Sequence, residues 1–165
     1  MNTILALLLI LLPTSSALAA PMSYVDRVKD AWDRLDANNL QVVDEFYDEN
    51  LEFHDPVGSL KGRAKMKAYY QGLYKDLKSI KFEYLEFVTA EKSVAMTWRM
   101  TYATEKLNGG APIVVDGMSL MKFGGPEDKV IYHRDYFDIG TMVYEHIPVL
   151  GWGVRKVRER LGSHE

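Results

Sequence analysis

Two neighbouring segments decide the fold: SVAMTWRMTYAT, residues 93–104, and IVVDGMSLMKF, residues 113–123. In both segments apolar and polar side chains alternate, which is the period of a β-strand with one buried face. The connection contains Asn108, Gly109 and Gly110, residue types that are typical of a hairpin turn. The two segments therefore predict a pair of adjacent antiparallel strands. Their predicted inner face consists of Val94, Met96, Trp98, Met100 and Tyr102 from the first, and Ile113, Val115, Gly117, Ser119 and Met121 from the second.

Two further strand-like runs flank this hairpin, at about residues 80–88 and 130–138. Short polar or glycine-rich connections separate them from the hairpin, at Glu91-Lys92 and at residues 124–126. Consecutive hairpins of this kind predict a four-stranded antiparallel meander.

The rest of the chain is predicted to be mainly helical, because its apolar residues recur at spacings of three and four. The expected elements are a helix capped by Ser23, a short helix over about 40–47, a strand over 51–55, a helix over about 62–77, a helix after Asp138 and an amphipathic stretch over 152–161. Helices that precede and follow a meander must cover one face of it. The fold class is therefore α+β, with a curved antiparallel sheet wrapped around helices to enclose a cone.

Composition narrows the possible functions. The chain has 165 residues and 47% hydrophobic content, enough for one sizeable core. Its formal charge of -3 offers no general attraction to a phosphate backbone, so we expect no nucleic-acid partner. Because there are no cysteines, disulfides and thiol chemistry are excluded.

The first residues predict an export signal. An uncharged apolar run ends near Pro13, and Ala17-Leu18-Ala19 has the small-x-small pattern of a cleavage site. We therefore expect residues 1–19 to be removed and the protein to be periplasmic or extracellular. The alternatives are an uncleaved membrane tether and a cytoplasmic protein starting at Met22. Residues 20–165 then form one domain, with a core of about 23–144 and a C-terminal helical extension over 145–165.

Two short segments resemble known enzymes. His54-Asp55-Pro56-Val57-Gly58-Ser59 resembles a segment of the bacterial ketosteroid isomerases in which the Asp is the general base. Arg134-Asp135-Tyr136-Phe137-Asp138 resembles a segment of the limonene-epoxide hydrolases in which the first Asp is catalytic. With the element order, these segments make the chain similar to the SnoaL-like, ketosteroid-isomerase-like branch of the nuclear-transport-factor-2-like superfamily. The resemblance implies a cone-shaped fold around a pocket for a small apolar ligand.

The other catalytic positions of those families are not matched. The two oxyanion donors of the isomerases correspond to Ala31 and Ser119, and the assisting Arg and Asp of the hydrolases fall on or beside Trp98 and Met100. The leading hypothesis is therefore a pocket protein of unassigned activity that binds or transforms a small hydrophobic molecule. The alternatives are an isomerase or hydrolase that uses Asp55 or Asp135, and a non-catalytic dimeric accessory protein.

Three side chains are candidate acid/base groups. Asp55 is expected at the end of its strand, either facing the cavity as a base or binding backbone amides in the turn around Pro56. Strand parity places His133 and Asp135 on one face together with Ile131 and Phe137. That pair is either an acid/base couple or a structural hydrogen bond.

The expected pocket is apolar, with methionines that adapt to an irregular guest. Its predicted lining is Phe53, Tyr84, Met96, Trp98, Met100, Val115, Ser119 and Phe137. The four histidines lack the spacing of a metal motif, and no cofactor motif is present, so we expect neither a metal nor a cofactor.

Two surfaces suggest partners. Val114, Met118 and Leu120 are predicted on the outer face of the sheet, which favours a homodimer. The C-terminal stretch combines Trp152 and Leu161 with several arginines and could make weak contact with a membrane surface.

Overall fold

The computed structural model describes residues 22–162, and the predicted signal segment lies outside them. The helices are α1 (Tyr24–Arg34), α2 (Val42–Phe46), α3 (Arg63–Lys75), α4 (Ile139–Met142) and α5 (Leu150–Gly162). The strands are β1 (Tyr47–His54), β2 (Ser59–Lys61), β3 (Ser79–Ala90), β4 (Ser93–Ala103), β5 (Ile113–Gly124) and β6 (Lys129–Phe137). Within the described chain, no helix is long and apolar enough to cross a membrane.

The six strands form one curved sheet in the order β2-β1-β6-β5-β4-β3. The meander from β3 to β6 is antiparallel throughout, as the alternating segments predicted. The α+β fold with an open curved sheet is thus confirmed.

The first strand differs from its prediction in length and pairing. It begins at Tyr47 instead of residue 51, and it pairs in parallel with β6. The three-residue strand β2 was not predicted, because three residues between two turns show no measurable alternation. Antiparallel pairing of β1 with β2 closes the turn around Pro56.

A β-bulge in β6 changes the face of one predicted inward residue. Phe123 pairs with Val130 and Lys122 pairs with Tyr132, so Ile131 is the extra residue between them. Val130 is therefore fully buried and Ile131 is exposed. The prediction that Ile131 shares the inner face with His133 is wrong for this reason.

The helices cover the concave face of the sheet. Ser23 caps α1 by accepting a hydrogen bond from the backbone amide of Asp26, as predicted. Val28 and Ala31 of α1 and Met66 of α3 are buried against the strands. Gly117 lies opposite Trp98 in the β4–β5 register, and the indole ring occupies the space above it. This close approach fixes the position of Trp98 in the cone.

Candidate functional site

A cavity of about 410 Å³ opens between α1, α3 and the concave face of the sheet. Half of the side chains that line it are aromatic: Trp32, Phe53, Tyr69, Tyr70, Tyr74, Phe82, Tyr84, Trp98, Tyr102 and Phe137. The remaining apolar lining is Leu35, Leu73, Leu77, Ile80, Met100 and Met142, and the charged lining is Asp33, Asp36, Lys81 and Asp135. Its size and apolar wall are those of a small-molecule site.

The structure places five of the eight predicted lining residues on the cavity: Phe53, Tyr84, Trp98, Met100 and Phe137. The other three, Met96, Val115 and Ser119, are closed into the core and line no part of it. For Ser119 the reason is visible, because the Trp98 indole bonds to its hydroxyl and covers it. Correct strand parity therefore identified the inner face but not the depth at which the cavity ends.

Sequence reasoning missed the helical side of the wall. Trp32 of α1 and Tyr69, Tyr70 and Tyr74 of α3 all line the cavity. Trp32 packs edge-on against Phe82, with 4.9 Å between ring centroids. Three of these residues, Trp32, Tyr69 and Tyr70, belong to the apolar stripes of their helices, and these stripes were the available signal.

A chain of buried polar groups ends at the cavity. His133 Nε2 lies 2.8 Å from Asp135 Oδ1, and His133 Nδ1 lies 2.9 Å from the Tyr47 hydroxyl. The Tyr47 hydroxyl is 3.3 Å from that of Tyr70. His133 is fully buried, whereas Asp135 and Tyr70 line the cavity. Asp135 and Tyr70, the two ends of this hydrogen-bonded series, thus both face the cavity.

Asp135 presents one free oxygen to the cavity. Its Oδ1 accepts hydrogen bonds from the Ser119 hydroxyl at 2.5 Å and from His133. No donor in residues 22–162 bonds to Oδ2, and 17% of the side chain is exposed. Ser119 in turn accepts a bond of 2.9 Å from Trp98 Nε1. The carboxylate is therefore oriented by one oxygen and available through the other.

Burial keeps the neighbouring phenols protonated. Desolvation raises the pKa of Tyr70 well above its usual value, and the nearby hydroxyl of Tyr47 and the charge of Asp135 add to the shift. Desolvation likewise raises the pKa of Tyr47. Both hydroxyls thus remain neutral hydrogen-bonding groups at physiological pH.

Asp55 is held in a turn behind the cavity wall. Its Oδ1 accepts bonds from the backbone amides of Val57 and Gly58 at 2.8 and 2.7 Å, and its Oδ2 accepts from the Tyr69 hydroxyl at 3.0 Å. It is not among the side chains that line the cavity. The sequence left two orientations of Asp55 open. The structure shows the carboxylate in the turn, so the prediction that it faces the cavity is wrong.

We expect Asp55→Ala to lower the free energy of unfolding by about 1.5 kcal/mol, because it removes three hydrogen bonds from a partly exposed turn. Asp55→Asn should cost less than about 0.5 kcal/mol, since an Asn oxygen can form the same turn. Urea unfolding of both variants measures the difference. Equal losses in the two variants would contradict the turn role.

His54, the first residue of the isomerase-like segment, lies away from this site. His54 Nδ1 bonds to the Ser59 hydroxyl at 2.7 Å, within the β1–β2 pair. Among residues 22–162, no three His, Asp or Glu side chains are grouped so as to hold a metal ion. The chemistry on view is that of an oriented carboxylate in an aromatic cavity, which can accept a hydrogen bond or a proton.

Fold and cavity together define a cone-shaped α+β pocket domain. Residues 28–133 match the family model described as a SnoaL-like domain, and this range covers well over half of the chain. The chain therefore belongs to the SnoaL-like domain family. No curated protein sequence matches it significantly.

Solved structures share the fold at low sequence identity. A protein from Jannaschia sp. CCS1, given the provisional name SnoaL-like polyketide cyclase, aligns with a TM-score of 0.63 and 16% identity over 79% of this chain and 99% of its own. An NTF2-like protein of unknown function from Burkholderia pseudomallei gives a TM-score of 0.63 and 12% identity over 72% and 93%. A protein with a ketosteroid isomerase-like fold from Catenulispora acidiphila, solved with trimethylamine, gives 0.61 and 14% over 74% and 89%. These likenesses establish the fold.

Proposed function

We propose that the protein binds a small, mainly apolar ligand in the cone. The observation that carries this proposal is the cavity of about 410 Å³, which has a wall of aromatic side chains and one carboxylate with a free oxygen. Large apolar cavities with few polar groups are the usual form of small-molecule sites. A core without a ligand function would be expected to close such a space, because protein interiors are packed almost without voids.

A cavity-filling variant tests the proposal. Ile80 lines the cavity on β3, so Ile80→Trp should occupy part of it and weaken apolar ligands at least about ten-fold. Val88→Trp, on the same strand but 60% exposed, is the matched control and should leave binding unchanged. Quenching of tryptophan fluorescence by a panel of enone steroids, polyketide ketones and epoxides measures affinity in both. Failure of every member to bind the wild type, with no small molecule retained on purification, would reject the proposal.

A second candidate function is acid/base catalysis by Asp135. The observation in its favour is the free Oδ2, held in the cavity while His133 and Ser119 bond to Oδ1. A positioned carboxylate that takes a proton from a ligand, or from a water attacking an epoxide, contributes on the order of 10² to 10⁴ in rate. Turnover of any member of the same panel that disappears in Asp135→Asn would support an isomerase or hydrolase. Binding without turnover would leave a non-catalytic protein.

We also propose that the protein forms a homodimer through the outer face of the sheet. Val114 on β5 is 50% exposed, and Ile131 and Tyr136 are exposed at other points of the sheet, on β6. An antiparallel sheet with apolar side chains on its outer face gains stability by covering them with a second copy. Light scattering at micromolar concentration should give the mass of a dimer, and a monomer mass would overturn the proposal.

We propose weak contact of α5 with anionic membranes. Trp152, Val157 and Leu161 on this helix are each at least 60% exposed, and Arg155 and Lys156 lie among them. Exposed apolar groups beside cationic ones are typical of helices that rest on a lipid surface. Cosedimentation with anionic vesicles but not with neutral ones is expected, and its absence would remove this partner.

Export remains our proposal for localisation. It rests on the apolar run and the Ala17-Leu18-Ala19 pattern. Mass spectrometry of the protein from its host should find an N-terminus near Ala20. A chain that retains Met1 or begins at Met22 would indicate the tethered or cytoplasmic alternatives.

A further inference from the structure

The tyrosine hydroxyls around the cavity use their hydrogens within the protein. Four of them donate to protein oxygens at 2.5 to 3.0 Å: Tyr69 to Asp55, Tyr74 to the backbone oxygen of Leu35, Tyr84 to Asp33, and Tyr102 to the backbone oxygen of Met142. Desolvation, first among the causes, raises the pKa of each of these phenols, so they keep their protons. What these hydroxyls can still offer a ligand is oxygen lone pairs.

Tyr70 is the fifth tyrosine of the lining. Its hydroxyl is oriented by the hydrogen bonds that connect it to Asp135 through Tyr47 and His133. Desolvation keeps Tyr47 protonated, and in the arrangement in which its hydroxyl donates to His133 Nδ1, the imidazole donates through Nε2 to Asp135. Tyr47 has then used its hydrogen, so Tyr70 donates to Tyr47. In this arrangement the donors from Tyr70 through Tyr47 and His133 all point toward Asp135.

The indole donors of the lining are likewise occupied or inaccessible. Trp98 Nε1 bonds to Ser119. Trp32 Nε1 has no partner in the described chain, but it is enclosed by protein atoms and closed to solvent. Lys81 pairs with Glu83, and 72% of its side chain is exposed at the rim. The cavity is therefore rich in hydrogen-bond acceptors and poor in donors.

The charged side chains of the lining also favour a ligand that is cationic or donates hydrogen bonds. Three of the four charged side chains are acidic: Asp135 on the sheet, and Asp33 and Asp36 at the end of α1. An anionic ligand would meet repulsion from these carboxylates, and the oxygen of a ketone would find few donors, since the Lys81 ammonium is mostly exposed and pairs with Glu83. A ligand that carries a positive charge or donates hydrogen bonds is favoured.

The aromatic wall provides a second source of attraction for a cation. Ring centroids lie 4.9 Å apart for Trp32 and Phe82, 5.5 Å for Phe82 and Trp98, and 6.3 Å for Trp98 and Phe137. These rings line the same cavity as Asp135. Faces of aromatic rings attract an ammonium group, most strongly when water is excluded.

We propose that the cavity selects a hydrophobic organic cation, namely a protonated or quaternary amine on an apolar body, with Asp135 as its counter-ion. The free Oδ2 faces the ammonium group while the aromatic side chains surround its alkyl substituents. This inference rests on the proposed function, since it names the class of ligand for the same cavity.

Two ligands of equal shape test the charge preference. Phenyltrimethylammonium and tert-butylbenzene differ in replacing a cationic nitrogen by a neutral carbon, and benzoate supplies an anion. We expect the purified wild-type protein to bind the cation at least about ten-fold more tightly than tert-butylbenzene, and benzoate not measurably, by calorimetry or tryptophan quenching. N,N-dimethylaniline and N,N-dimethylbenzylamine, one neutral and one protonated at pH 7, extend the comparison to amines that carry a proton.

Charge-removing variants locate the counter-ion. Asp135→Asn should reduce the preference for phenyltrimethylammonium over tert-butylbenzene to less than about three-fold, through a loss of affinity for the cation. Asp116→Asn is the control, because it removes the same charge from an exposed pair with Arg99 outside this cavity. A preference that survives in Asp135→Asn would overturn the assignment of the counter-ion.

The ratio of the wild-type affinities for phenyltrimethylammonium and tert-butylbenzene tests the inference even if the Asp135→Asn protein does not fold. A ratio below ten, with both ligands bound, would overturn the cation preference and leave the apolar-ligand proposal standing. If neither of these ligands and no member of the panel above binds the wild type, both the cation preference and the apolar-ligand proposal are overturned.

Discussion

Gly117→Ala is expected to destabilise the protein by about 3 kcal/mol, because a methyl group at this position has no room. A Cβ built on Gly117 would lie 2.3 Å from the Trp98 ring. The ring also forms one wall of the cavity and bonds to Ser119. Relief of the overlap must therefore move the indole or separate β4 from β5. We expect the melting temperature to fall by about 10 °C and apolar ligand binding to weaken as well.

Gly72→Ala is the matched control for this substitution. Gly72 lies within α3, and no heavy atom comes within 4 Å of a Cβ built there. Alanine is the better helix former, so this variant should gain up to about 1 kcal/mol. Calorimetric melting of both proteins measures the contrast. A Gly117→Ala protein as stable as the wild type would show that Trp98 does not occupy the space above the glycine.

His133→Ala is expected to cost about 4 kcal/mol, the largest single effect among the polar residues. The imidazole is fully buried, lies 5.1 Å from the Phe53 ring and stacks on Tyr47 with 5.9 Å between centroids. Its loss creates a void in the core. It also removes the bonds to the Tyr47 hydroxyl and to Asp135, leaving the hydroxyl without its closest partner and the carboxylate with Ser119 alone.

Two further variants separate packing from hydrogen bonding. His133→Phe keeps a ring in the space and should lose about 2 kcal/mol, the part due to unpaired groups. His54→Ala removes an exposed bond to Ser59 and a ring contact with Tyr132, and should change stability by less than about 1 kcal/mol. Chemical denaturation gives all three values. Similar losses for His54→Ala and His133→Ala would contradict a buried structural role for His133.

The donor-poor cavity bears on the enzymes that the chain resembles. Enolisation beside a carbonyl needs hydrogen-bond donors aimed at the developing oxyanion. Ser119, which occupies one of those donor positions in the resemblance, gives its hydrogen to Asp135. The other position falls on Ala31, which is buried in the core and has no donor. In this protein the isomerase-like segment around Asp55 forms a turn, whereas the hydrolase-like segment contributes Asp135 to the cavity wall.

Local periodicity was sufficient for the meander. In β4 and β5 each strand pairs with its neighbour in sequence, so side-chain alternation and a glycine turn specify both the pairing and the inner face. Trp98, Met100 and Phe137 were accordingly predicted on the cavity side, and the structure places them there. The pairing of His133 with Asp135 followed from the same parity.

Tertiary structure decided what depends on residues distant in sequence. The parallel pairing of β1 with β6 joins segments some eighty residues apart and brings Tyr47 against His133, which no local pattern indicates. The bulge at Ile131 reverses alternation because one extra residue shifts every side chain before it to the other face. Asp55 could satisfy its carboxylate in the turn or in the cavity, and the nearby Tyr69 hydroxyl and two backbone amides outweigh an apolar space without donors. The sequence by itself thus determined the strands and their inner face. The polarity of the cavity was decided by the tertiary structure, because the partners to which the lining side chains donate their hydrogen bonds are mostly distant in sequence.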